Sequence, residues 1–109
     1  MTVTLPRPLA DYFAAKNRHD IDGMLVPFSS DAMVRDEGEI HQGTPAIRAW
    51  MEATTRKYQV TVEVADATAN GDIWRVAGVV SGNFPGSPAT LHYNFTLAGE
   101  QITRLEIGA

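Results

Sequence analysis

The chain divides by the period of its apolar positions. In the first half they recur at helical spacing. Leu9, Tyr12 and Phe13 share one face of a first helix, whose opening turn tolerates Pro6 and Pro8. Asn17 to Asp20 ends that helix. Asp20 caps a second one, in which Ile21, Met24, Leu25 and Phe28 repeat at i, i+3, i+4 and i+7; Gly23 and Pro27 keep it short. Ala32 to Asp36 reads as a short strand, followed by an acidic loop and His41. Thr44 is an N-cap with Pro45 at the first helical position. Ile47, Trp50, Met51, Thr54 and Tyr58 then form the inner face of a third helix.

In the second half the period falls to two. Gln59 to Ala67 alternates, with Val60, Val62 and Val64 on one side. Asn70-Gly71 signals a tight turn into a long strand, Ile73 to Asn83, where Gly78 and Gly82 predict a bend or bulge. Phe84 to Pro88 is a loop. Thr90 to Leu97 places Leu91, Tyr93, Phe95 and Leu97 on one face, and Gln101 to Ile107 closes the chain after a turn at Ala98-Gly99-Glu100. Helices followed by a meander give an α+β class: one domain over residues 1–109, with three N-terminal helices closing a curved antiparallel sheet. Such a cone has a cavity at its mouth, where small ligands commonly bind.

Composition narrows the partners. The nine basic residues are scattered and the net charge is −4, so no basic face for nucleic acid is expected. No apolar run approaches the roughly 20 residues of a membrane span. Met1 to Pro6 lacks the ordered regions of a signal peptide. Cysteine is absent, which excludes disulfides, thiolate zinc sites and a cysteine nucleophile, and suits a cytoplasmic location.

The densest chemistry is Asp36-Glu37-Gly38-Glu39-Ile40-His41. If Val34 faces the core, Asp36 shares its face while Arg35 and Glu37 turn outward. A carboxylate entering an apolar cavity loses hydration, so its pKa rises toward that of a useful general base. Glu37, Glu39 and His41 would form the polar rim. No second histidine lies at a ligand spacing from His41, so no metal is expected.

Several segments together resemble a known superfamily. They are Tyr12-Phe13-Ala14-Ala15-Lys16-Asn17, Asp20-Ile21-Asp22-Gly23-Met24, Phe28 with Asp31-Ala32-Met33-Val34, Gly43-Thr44-Pro45-Ala46-Ile47-Arg48, and the strand Ile102 to Ile107. Their order resembles the NTF2-like (cystatin-like) superfamily, which includes SnoaL-like polyketide cyclases and ketosteroid isomerases. The resemblance implies a general base at Asp36 and an oxyanion donor at Tyr12. The strand around Leu91 to Phe95 carries no acid to serve as the second donor of the isomerases. If Tyr93, Phe95 and Leu97 face the cone, Tyr93 is the pocket donor on that strand and His92 lies on the outer face. Met24, Phe28, Val34, His41, Trp50, Met51, Val62, Phe84 and Phe95 are expected around the pocket.

The implied function is a small cofactor-independent enzyme acting on a small hydrophobic ligand. A non-catalytic binding module and a dimerisation module fit the same fold. The resemblance also implies a homodimer through the outer face of the sheet, which Leu- and Val-rich strands would suit. Arg104 and Glu106 are expected to pair on that outer face.

Overall fold

The computed structural model describes residues 4–108. Met1 to Val3, part of the stretch read as lacking a signal sequence, and Ala109 lie outside them. The helices are α1 (Arg7–Asn17), α2 (Ile21–Leu25) and α3 (Thr44–Tyr58). The strands are β1 (Phe28–Asp36), β2 (Glu39–Gln42), β3 (Thr61–Asn70), β4 (Ile73–Ser81), β5 (Ala89–Ala98) and β6 (Gln101–Gly108). They form one curved sheet in the order β2-β1-β6-β5-β4-β3. Neighbours are antiparallel except β1 and β6, which run parallel with Arg35 opposite Glu106.

Three local readings change. Phe28 opens β1 instead of extending α2, because α2 stops at Leu25 ahead of Pro27. The acidic loop is a hairpin: Asp36 pairs with Glu39 around Glu37 and Gly38, both at positive φ. Thr44 is already helical, Gly43 caps α3, and Pro45 follows in the first turn, where its missing N–H costs nothing.

The helices cover one face of the sheet. Val34, Val76, Tyr93, Phe95, Ile102 and Leu105 point into that face and meet Leu9, Tyr12, Phe13, Ile47 and Met51. Tyr12 packs edge-on against Phe13, Phe28 and Phe95, with ring centroids 5.2, 5.7 and 5.6 Å away. The sheet bends at a bulge in β3 between Val64 and Asp66, opposite Gly78 and Ala77 of β4. Gly82 lies beyond β4 and takes no part in the bend.

The outer face is mainly polar, contrary to the expectation of Leu- and Val-rich strands. The leucines and most valines of the strands point inward; Ala77, Val79 and Ile73 of β4, with Met33 of β1 and Ile40 of β2, stand among Thr90, His92, Asn94, Thr96 and the Arg104–Glu106 pair. Among the described residues no helix is long and apolar enough to cross a membrane.

The free edge of β3 is met by the end of α1. The Asn17 side chain donates to the Val62 carbonyl at 2.9 Å and accepts from the Val62 N–H at 2.7 Å. It acts as one residue of an added strand. Next to it, His19 donates through Nε2 to the Val60 carbonyl at 2.8 Å. These bonds fix the last turn of α1 against the sheet, and with it Lys16.

Candidate functional site

The cone opens into a cavity of about 500 Å³ between α1, α3 and the concave face of β3 to β6. Its walls are mainly apolar, built from Trp50, Val60, Val80, Phe84, Leu91 and Ile107. Polar atoms enter at a few points: Asp36 and Glu37 at the end of β1, Lys16 from α1, Tyr93 from β5, and Thr54 and Tyr58 from α3.

Asp36 is half-buried. Burial raises its carboxyl above the ordinary 3.8, and the neighbouring charge of Glu37 adds to this. A hydrogen bond from the Trp50 indole N–H, at 3.1 Å to Oδ2, opposes the rise, as do the Lys16 charge and a backbone N–H at Glu37. The carboxylate is therefore oriented by one side-chain donor and a backbone N–H, and held in a poorly hydrated place.

Tyr93 lines the cavity, and burial raises its hydroxyl further above the ordinary range, with the Asp36 charge adding. Tyr12 does not line it. Its ring is locked among aromatic neighbours under the floor, fully buried, and among the described residues its hydroxyl has no hydrogen-bond partner. Burial first, then the charges of Tyr93 and Asp36, raise it. An oxyanion contact from Tyr12 would need that floor to open.

The expected wall is corrected in the same way. Met24, Phe28 and Val34 belong to the core beneath the cavity, as do Met51, Val62 and Phe95, because each sits where helices press directly on the sheet. Trp50 and Phe84 are in the wall. His41 faces a second hollow of about 450 Å³ between β2 and α3, with its ring 5.9 Å from that of Trp50. Asp36, Glu37, Trp50, Thr54 and Tyr58 border both hollows, and Tyr58 donates to Glu37 at 3.1 Å across the partition. Among the described residues, no three His, Asp or Glu side chains gather to hold a metal ion.

Lys16 was missed from sequence. It is 8% exposed, and its free end reaches the cavity. Among the described residues it makes no ion pair and no hydrogen bond; its Nζ lies over the Tyr12 ring, 5.8 Å from the centroid. Burial lowers its pKa from 10.5 to about 8, against the pull of Asp36. A signal was present: Lys16 stands seven residues after Leu9, four after Tyr12 and three after Phe13, on the apolar stripe itself.

Known proteins share this architecture. A candidate polyketide cyclase from Sinorhizobium meliloti is 43% identical over 94% of each chain, with a TM-score of 0.91. A Catenulispora acidiphila protein of ketosteroid isomerase-like fold, solved with trimethylamine, has a TM-score of 0.85 at 22% identity, over 97% of this chain and 87% of its own. An epoxide hydrolase/cyclase-like enzyme of pyran-ring formation in the polyether salinomycin has a TM-score of 0.77 at 21% identity, over 94% of this chain and 87% of its own. The last two likenesses show the fold alone. No curated protein matches in sequence. Residues 9–105 match the SnoaL-like domain throughout, and the chain belongs to that family.

Proposed function

We propose that the protein is a small cofactor-independent enzyme that removes a proton beside the carbonyl of a small hydrophobic compound, with Asp36 as general base. The observation that carries this reading is a half-buried carboxylate, oriented by Trp50, on the wall of an apolar cavity. A carboxylate placed there has lost water that would otherwise weaken it as a base. Tyr93 is the hydroxyl placed to meet the developing enolate oxygen. An enolate formed in this way can be reprotonated elsewhere, which is isomerisation, or can attack a second carbonyl of the same molecule, which is cyclisation. The 43% identical candidate polyketide cyclase favours the second outcome. We place the enzyme in the cytoplasm, a reducing compartment that suits a chain without cysteine. We also propose that it works as a homodimer through the outer face of the sheet.

The test is exchange of the α-protons of cyclohexanone in deuterated water, followed by NMR. Wild-type protein is expected to accelerate exchange, and Asp36→Asn to remove at least 100-fold of that acceleration. The rate is expected to fall as pH drops, with a midpoint above 3.8, because protonation of a carboxyl with a raised pKa removes the base. Exchange that survives Asp36→Asn would remove Asp36 as the base, whereas no acceleration by the wild-type protein would leave the cone as a non-catalytic binding module.

A further inference from the structure

Lys16 is not used by the proton-abstraction mechanism, yet it is a buried amine on the cavity wall. The last turn of α1 aims it into the cavity, and the paired hydrogen bonds from Asn17 to Val62 hold that turn in place. No carboxylate comes within ion-pair distance of its Nζ among the described residues. The groups facing it are Asp36 and Glu37 at the end of β1, Tyr93 on β5, and Tyr12 one turn back on its own helix. A purely structural lysine at this place would reach an acid or solvent. This one ends inside the cavity with a free nitrogen.

We propose that Lys16 forms an imine with the carbonyl carbon of an aldehyde or ketone bound in the cavity. The proposal rests on the reading that carbonyl compounds bind there, and it adds a covalent step to their chemistry. The neutral amine nitrogen attacks the carbonyl carbon, and the C=O electron pair moves to oxygen, which takes up a proton. The resulting carbinolamine loses that oxygen as water, while the nitrogen lone pair closes the C=N bond. The balance is amine plus carbonyl giving imine plus water, with no oxidant or reductant. Asp36 is placed to carry the protons involved. Protonated on nitrogen, the imine withdraws electrons from the α-carbon more strongly than the parent ketone does. Removal of an α-proton by Asp36 then gives an enamine; return of a proton to carbon restores the protonated imine, and water adds to it and releases the carbonyl compound and the amine.

The apolar surroundings favour this chemistry because they disfavour the ammonium form, and a pKa of about 8 leaves a reactive fraction of neutral amine near pH 7.5. Lys57 is a built-in control. It is the only other lysine in the sequence, it is exposed, and the hydrogen bond and charge of Tyr58 raise its pKa.

The experiment is borohydride trapping. The full chain is incubated with cyclohexanone, reduced with sodium borohydride, and digested for mass spectrometry. The expected product is a secondary amine at Lys16, at least tenfold more abundant than adducts at Lys57 or the N-terminal amine. Lys57→Arg is expected to keep the adduct. Lys16→Arg, which retains the charge, and Lys16→Met, which retains the bulk, are both expected to lose it. No adduct at Lys16 in a wild-type protein that still exchanges cyclohexanone protons would overturn the imine and leave Asp36 as base. An adduct spread equally over Lys16 and Lys57 would overturn it too. Asp36→Asn separates the two ideas: trapping at Lys16 that persists while exchange is unaffected supports the imine and sinks the aspartate base.

Discussion

Trp50 gives Asp36 its one side-chain hydrogen bond, and that bond stabilises the carboxylate. Replacing the indole with a phenyl ring keeps most of the apolar wall and removes the donor. Trp50→Phe is therefore expected to raise the Asp36 pKa further and to move the acid limb of α-proton exchange up by about one pH unit. A pH–rate profile of the variant checks this. Lys16 makes a complementary prediction about stability. Its folded pKa of about 8 lies below the ordinary 10.5, so the fold disfavours its charged form. Below pH 8 both folded and unfolded chains are protonated and the full penalty is present. Between about pH 8 and 10.5 the unfolded chain holds a proton that the folded one has released, so stability rises with pH across that window. Lys16→Met is expected to stabilise the fold at pH 7 by up to about 3 kcal/mol, with the advantage shrinking at pH 10. Urea unfolding of both proteins at the two pH values measures it; an advantage unchanged by pH would mean that packing, not buried charge, is responsible. Asp36 was legible in the sequence because alternation from Val34 fixes its face. Lys16 was not, because a charged residue near a helix end reads as solvated even when its spacing puts it on the apolar stripe.

Between elements, Gly78 makes a close approach. A Cβ there would stand 2.7 Å from Val62 Cγ1 and 3.3 Å from Tyr93 Cε1. Gly78→Ala is expected to cost about 1–3 kcal/mol in denaturant unfolding, because β3 and the Tyr93 ring must both give way opposite the bulge. A loss under about 0.5 kcal/mol would mean that Val62 simply turns aside. The sequence pointed to Gly78 as a bend, but the extra residue lies in the partner strand. Only pairing reveals which strand carries the bulge. The β1–β2 hairpin was hidden for a different reason. Its turn puts Glu37 at φ 53, a conformation for which glutamate is a poor choice, so the usual Asn-Gly signature is absent. Phe28 was assigned to a helix because it continued the spacing of Ile21, Met24 and Leu25. A five-residue helix ahead of Pro27 cannot carry that spacing further.

For the molecule as a whole, helices on one face of a curved sheet followed from the change of apolar period along the chain. The contents of the cavity depended on which inward side chains are capped by helices and which are left uncovered, and spacing does not encode that. The proposed dimer belongs to this scale. Ile73, 49% exposed, with Val79 and Ala77, gives the outer face of β4 its apolar component within a polar surround. Light scattering is expected to give twice the 11.9 kDa chain mass, and Val79→Glu to give a monomer. A monomeric wild type would end that proposal.

The parallel pairing of β1 and β6 has a practical side. The two strands finish at the same end of the sheet, so the polypeptide reaches Gly108 in the wall of the very cavity that Asp36 borders. Anything joined after Gly108, whether an affinity tag or a further stretch of natural sequence, starts at the doorway. A fusion at that end would therefore compete with small molecules for entry.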